Sequence, residues 1–91
     1  MKQLANVLDR LFKDPELKNH MYKGMVVSVW EKAVGKKIAG ICQPTGFENG
    51  TLYVKVQSAA WRNELTMMRT TIKDKINELL GLTVVRSIIF R

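Results

Sequence analysis

The sequence has very few of the side chains that bind metals, form disulfides or carry out catalysis. Its 91 residues include one cysteine, Cys42, and one histidine, His20. A lone cysteine cannot form an intramolecular disulfide, and together these two residues cannot supply the four ligands of a zinc ribbon. No Walker-type loop, G-x-G-x-x-G motif or metal-ligand spacing occurs, and the carboxylates are scattered along the chain. These absences predict a protein that is not an enzyme and that needs neither a metal nor a cofactor.

Long hydrophobic runs are also missing. No apolar stretch approaches the roughly 20 residues that span a bilayer, and the N-terminus lacks the apolar segment of a signal peptide. Hydrophobic residues nevertheless make up 46% of the chain, which is enough for one small core. We therefore expect a cytoplasmic protein without a membrane partner. We expect residues 1–91 to form a single domain, with a short helix at 1–13 and a core at 14–91.

Positive charge is present in excess and is unevenly distributed. Fifteen Lys and Arg against eight Asp and Glu give a net charge of +7. Residues 18–37 carry +4 and residues 58–91 carry +3, so the rest of the chain is balanced. Such an excess favours a polyanionic partner, although it also serves solubility. These two segments are where we look for a binding surface.

Hydrophobic periodicity and turn residues predict the order of secondary structure. An apolar stripe predicts a helix at 1–13, and Asp14 with Pro15 predicts the start of a second helix, at 15–34, which ends at Gly35. Residues 38–47 contain Pro44 and Gly46 and favour a bulged strand. The turn at residues 48–50 contains Asn-Gly, which is typical of a tight hairpin.

The second half of the chain continues with a strand, a helix and a strand. Residues 51–57 alternate between apolar and polar side chains, as a half-buried antiparallel strand does. Ser58 is a good N-cap for a long helix at 59–80, which ends at Gly81, and the Val- and Ile-rich residues 83–91 predict a last strand. The sequence thus predicts an α+β fold of order ααββαβ with a three-stranded sheet.

Basic residues on the predicted elements are the candidate nucleic-acid contacts. Arg62, Arg69 and Lys73 fall on one flank of the helix predicted at 59–80, where they would form a ridge along a phosphate backbone. Lys36 and Lys37 form a second basic group after the helix at 15–34. A solvated helix face that happens to be sorted by charge is the alternative for the ridge.

The strand at 51–57 adds two more candidates. Tyr53 lies on its polar side next to Lys55, where an aromatic ring could stack on a base while the lysine contacts phosphate. Packing against a neighbouring strand is the alternative for Tyr53. Trp30 and Trp61 lie on apolar stripes and are expected in the core.

The ordered set of short motifs resembles the DciA family, a family long described only as a domain of unknown function. The matching segments are VWEKAVG at 29–35, Ile38-Ala39, GTLYVKV at 50–56, SAAW at 58–61, Glu64-Leu65, Ile76-Asn77 and Leu80-Gly81. The resemblance covers nearly the whole chain. It implies a KH-like domain with helices packed on one face of the sheet, which agrees with the element order above.

The resemblance also implies a function. Members of the family act in bacterial DNA replication, where they bind the replicative helicase DnaB and promote its loading on DNA without being ATPases. DNA and DnaB are therefore the expected partners. An RNA-binding or ribosome-associated module and a pure protein-interaction domain remain alternatives. A KH module that binds RNA uses a G-x-x-G loop, and here Ile38 stands where the second glycine after Gly35 would be.

Overall fold

The computed structural model describes residues 13–91, and within them it shows four helices and a three-stranded sheet. The helix predicted at 1–13 lies outside the described residues, apart from Lys13. In chain order the elements are α1 (Pro15–Val34), α2 (Lys36–Ala39), β1 (Cys42–Glu48), β2 (Thr51–Val56), α3 (Ala59–Met67), α4 (Arg69–Leu80) and β3 (Ser87–Phe90).

Helix α1 begins and ends where the sequence predicts. The Asp14 carboxylate accepts hydrogen bonds from the backbone N–H groups of Glu16 and Leu17, at 3.0 and 3.3 Å, and Pro15 occupies the first turn. Gly35 ends the helix with φ of 89°, a conformation that side chains with a Cβ rarely adopt. Both predicted boundaries are confirmed.

Helix α2 corrects the first predicted strand, which was placed at 38–47. After Gly35 the chain makes one more helical turn, in which the Ala39 N–H donates to the Gly35 carbonyl over 2.9 Å. Strand β1 therefore begins only at Cys42, whose thiol donates to the Ile38 carbonyl over 3.2 Å. A four-residue helix is too short to show a periodic pattern, so hydrophobic periodicity does not predict it.

The hairpin between β1 and β2 has the predicted turn and the predicted bulge. Asn49 and Gly50 have φ of 51° and 85°, the positive values that a tight hairpin turn requires. The two strands pair antiparallel, and their register shifts between Pro44 and Gly46. Strand β3 pairs parallel to β2, so the sheet is mixed and has the order β1-β2-β3.

The prediction of one continuous helix at 59–80 is wrong, because the structure has two helices in this range. Met68, with φ of −95° and ψ of 6°, separates α3 from α4. Just before this joint the Thr66 hydroxyl donates to the Arg62 carbonyl over 2.7 Å, a back-bond that bends helices. Leu65 on α3 and Ile72 on α4, one on each side of the joint, are both buried in the core.

The last strand is shorter than the predicted range of 83–91. Residues 82–86 form a connection that Asn77 holds, since its side-chain amide bonds the backbones of Val84 and Val85 at 2.8–3.0 Å. The N–H groups of Arg86 and Ser87 then both donate to the Gly50 carbonyl, at 2.8 and 3.2 Å. These bonds fix the point at which β3 joins the sheet.

One layer of helices covers one face of the sheet and forms the core with it. The buried apolar side chains are Val26, Trp30, Cys42, Phe47, Leu52, Val54, Val56, Leu65, Ile72, Ile76, Val84, Val85, Ile88 and Phe90. On β2 and β3 the alternate residues point to the other side, which we call the outer face. The predicted α+β architecture, with helices packed on one face of a three-stranded sheet, is confirmed.

Candidate nucleic-acid interface

Lys36 and Lys37 lie on α2, at the end of the sheet where β1 begins and β2 ends. Both side chains are exposed. The Lys37 ammonium lies 5.6 Å from the ring centroid of Trp61, at the start of α3, a distance suited to a cation–π contact. Trp61, expected in the core, is half-buried and packs against the core cluster. The contact brings the two predicted basic segments of the chain together.

Lys55 lies on the outer face near the same end of the sheet. Its side chain is exposed, and it borders a shallow depression of about 230 Å³ together with Gln43 and Gln57. The depression also includes Gly40 and Ile41, which follow α2 directly. Lys55 is therefore next to the segment that carries Lys36 and Lys37.

Tyr53 is half-buried on the outer face, and a cation occupies one side of its ring. The guanidinium carbon of Arg91 lies 4.4 Å from the ring centroid. Backbone bonds hold Arg91 in place, since its N–H donates to the Val54 carbonyl and its carbonyl accepts from Val56, both at 2.9 Å. Tyr53 thus presents a ring that is covered on one side by the Arg91 guanidinium rather than a bare ring. Sequence reasoning missed Arg91, although the alternation of the last strand puts it on the same side as Ile89.

Arg62 is half-buried and has a structural contact. Its Nη2 donates to the Val56 carbonyl over 3.2 Å, at the end of β2, and its Nε is buried without a hydrogen-bond partner among the described residues. The guanidinium is therefore anchored beside Trp61 and the end of the sheet. Five cations lie at or near this end of the sheet, and we call them the sheet-end cluster: Lys36, Lys37, Lys55, Arg62 and Arg91.

Arg69 and Lys73 are separated from that cluster by the joint at Met68. Arg69 is exposed at the start of α4. The Lys73 ammonium lies 3.8 Å from the Asp74 carboxylate, and its side chain is 29% exposed. Because the helix is interrupted between Arg62 and Arg69, the three residues do not share one straight helix. A phosphate-binding role for Arg69 and Lys73 stays a prediction.

The described residues offer little for other kinds of chemistry. Between residues 13 and 91, no group of three or more His, Cys, Asp or Glu side chains is arranged to hold a metal ion. Cys42 is 2% exposed, and burial raises the pKa of its thiol, which disfavours the nucleophilic thiolate. None of the helices in this part of the chain is long and apolar enough to cross a bilayer.

Comparison with known proteins gives a family match over almost the whole chain. Residues 3–90 match the family model described as "Dna[CI] antecedent, DciA". Among curated proteins, a UPF0232 protein of Rhodococcus jostii (strain RHA1) is 39% identical over 66 residues, which are 72% of this chain and 35% of that protein. The UPF0232 protein Rv0004 of Mycobacterium tuberculosis is 38% identical over 66 residues, with the same coverage of 72% and 35%.

A third relative shows the same pattern of coverage. The UPF0232 protein of Mycobacterium marinum is 35% identical over 69 residues, 76% of this chain and 37% of that protein. The matched part of the chain thus spans little more than a third of the length of these relatives.

Proposed function

Because the chain belongs to the DciA family, we propose that it is a non-enzymatic accessory factor of bacterial DNA replication. In this role it binds nucleic acid through a basic surface and docks on the DnaB-type replicative helicase. The observation that carries the nucleic-acid half is the sheet-end cluster, where cations from α2, β2, α3 and the residue after β3 lie near one end of the sheet, Lys37 beside Trp61 and Arg91 over Tyr53.

The chemistry of the sheet-end cluster suits a phosphate backbone. Lys36, Lys37 and Lys55 are exposed, so that their ammonium groups can reach phosphates with little rearrangement. Arg91, placed over the Tyr53 ring, offers a guanidinium on which a base can stack. Contacts of this kind read charge and stacking rather than base identity, so we expect binding without strong sequence preference.

A salt titration tests nucleic-acid binding. The affinity for a labelled single-stranded oligonucleotide, measured by fluorescence anisotropy, should fall with salt by about 0.7 log units per decade for each phosphate contact. Lys55→Ala should lower both the affinity and this slope. Lys75→Ala is the matched control, because Lys75 is an exposed lysine on α4 outside the cluster.

The outcomes separate the competing functions. Equal losses for Lys55→Ala and Lys75→Ala would mean that only net charge matters, and no binding at low salt would remove the nucleic-acid half. Arg69→Ala tests the ridge predicted from the sequence in the same assay. Tighter binding to structured RNA than to DNA would favour the RNA-binding alternative.

Docking on the helicase needs its own experiment. The protein should retain a purified DnaB-type helicase in a pull-down after nuclease treatment, because a direct protein contact does not need nucleic acid. Retention that disappears with nuclease would show that nucleic acid bridges the two proteins. Retention with no nucleic-acid affinity would favour a pure protein-interaction domain.

A further inference from the structure

A second basic concavity lies at the opposite end of β2, beside the hairpin turn. It has a volume of about 390 Å³ and is bordered by the start of α1, the turn and the connection before β3. We call it the hairpin-end notch, and its polar lining residues are Lys18, Asn19, Tyr22, Asn49, Thr83 and Arg86. None of them belongs to the sheet-end cluster.

Backbone contacts hold the walls of the notch in fixed positions. The Asn49 N–H donates to the Asn19 side-chain oxygen over 3.4 Å, which ties the turn to α1. On the other wall, the Arg86 N–H donates to the Gly50 carbonyl over 2.8 Å. The stem of Arg86 then lies across the turn, so close that a Cβ on Gly50 would be 3.0 Å from its Cδ. Glycine at this position, with φ of 85°, therefore permits both the turn and the course of Arg86.

The charge of the notch is positive among the residues that the structure describes. Lys18 and Arg86 line it, no carboxylate does, and neither cation forms an ion pair within residues 13–91. Arg86 also borders a neighbouring hollow that contains Asp74 and Glu78, yet it pairs with neither of them. Two unpaired cations that flank one concavity raise the local concentration of anions.

Amide and aromatic side chains also line the notch, and they bear on which anion would fit it. Asn19 and Asn49 each carry an amide that can donate to an oxyanion. The floor is aromatic, with Tyr22 and Phe47 packed edge to face at a centroid distance of 5.7 Å, and the Lys18 ammonium is 5.9 Å from the Tyr22 ring. This concavity combines cations and amide donors with two aromatic rings. Such a combination suits a nucleotide, which has both a phosphate group and a planar base.

We propose that the hairpin-end notch binds the phosphate group of a nucleotide, with Lys18 and Arg86 supplying the charge and the amides of Asn19 and Asn49 the orientation. The phosphate comes either from a free nucleotide or from a nucleic-acid strand. The notch is a site separate from the sheet-end cluster, because the two lie at opposite ends of the same strand. For a nucleic-acid strand as ligand the inference rests on the proposed function, and for a free nucleotide it does not.

The test follows the amide signals of the full chain by NMR during titration with adenosine monophosphate, inorganic phosphate and a single-stranded oligonucleotide, in parallel. The side-chain amides of Asn19 and Asn49 should shift in a saturable manner. A response to the mononucleotide identifies a free nucleotide as ligand, and a response to the oligonucleotide alone identifies a strand. Arg86→Gln should weaken binding about tenfold, since it removes one charge-assisted contact.

Matched variants decide between the notch and general charge. Lys18→Gln should weaken binding, whereas Lys23→Gln, on the same helix but outside the notch, should not. Equal effects of the two lysine variants, or no saturable shift of Asn19 and Asn49 with any of the three probes, would overturn the proposal. Loss of oligonucleotide binding in Lys55→Ala with the notch response intact would show that the two sites are separate.

Discussion

The two faces of the sheet are built from the same strands but differ in burial and in charge. On β3, Ile88 points to the helices and is 0% exposed, while its neighbour Ile89 points to the outer face and is 42% exposed. On β2, Leu52, Val54 and Val56 face the core, and Tyr53 and Lys55 face outward. Neighbouring residues therefore differ in burial, although their backbones share one strand.

The difference between the faces separates the side chains that stabilise the fold from those that we propose to bind nucleic acid. The inner face is entirely apolar on β2 and β3, so its side chains contribute free energy of folding. The outer face carries the cations Lys55 and Arg91, which cost little to expose and are available to a ligand. We therefore expect substitutions on the inner face to change the free energy of unfolding, and those on the outer face to change affinity.

The largest expected effect is the contrast between two adjacent isoleucines. Ile88→Ala should lower the free energy of unfolding by about 2–5 kcal/mol, because it leaves a cavity in a fully buried site. Ile89→Ala removes the same atoms from the outer face and should cost only about 1 kcal/mol, largely through strand propensity. Urea denaturation of the two variants gives the comparison directly. Equal losses would contradict the assignment of the faces.

The next effect concerns the Asn77 side chain, whose hydrogen bonds hold the connection before β3 and so help to set which residues of β3 face inward. Asn77→Ala removes three hydrogen bonds to the buried backbones of Val84 and Val85, and it should cost about 2–3 kcal/mol. A slip of β3 by one residue would exchange Ile88 and Ile89 between the faces, and these bonds oppose that slip. Asn63→Ala, an exposed asparagine on α3, is the control and should be nearly neutral.

A smaller effect depends on pH and comes from Cys42 at the start of the inner face. Burial raises the pKa of its thiol, so the folded protein holds this proton more tightly than the unfolded chain. Its contribution to stability is complete below the ordinary thiol pKa of about 8.5 and is lost as the pH rises through the folded value. The loss is at most about 1.4 kcal/mol per pH unit.

The Cys42→Ala variant isolates that contribution. Its free energy of unfolding should lack this part of the decline between neutral and alkaline pH, which thermal or urea unfolding at several pH values measures. The thiol of the native protein should also react slowly with alkylating reagents at neutral pH. Fast alkylation of the folded protein would show that Cys42 is not shielded.

The smallest expected effect belongs to the outer face. Arg91→Ala should cost about 0.5–1 kcal/mol through loss of its cation–π contact with Tyr53. A double-mutant cycle with Tyr53→Leu should return a coupling energy of that size, and a value near zero would mean that the pair does not stabilise the face. The same Arg91 variant should bind the oligonucleotide more weakly.

Local sequence signals predicted the ends of several elements. Asp14 with Pro15, Asn49 with Gly50, and Gly81 each act within a few residues, so the boundaries they set were visible in the sequence. The joint at Met68 was not visible, because neither glycine nor proline marks it and the apolar repeat passes through it. The Thr66 back-bond that accompanies the joint is a contact that propensity does not reveal.

The candidate site was predictable only in part, because it depends on contacts between distant residues. Lys37 and Trp61 are 24 positions apart, and only the fold shows that they touch. Arg62 has the type and position of a phosphate contact, but its bond to the Val56 carbonyl gives it a structural role as well. The notch between Asn19, Asn49 and Arg86 joins three regions that no sequence pattern connects.

The Asn49–Gly50 turn is also a site at which asparagine can deamidate. The nitrogen of a glycine that follows asparagine is unhindered, so it can attack the side-chain amide, expel ammonia and form a cyclic imide. Hydrolysis of that ring leaves aspartate or isoaspartate, and either one puts a negative charge on the wall of the hairpin-end notch. The residue pair that makes the turn therefore also ages, and the aged molecule would hold anions less well at that end of the sheet.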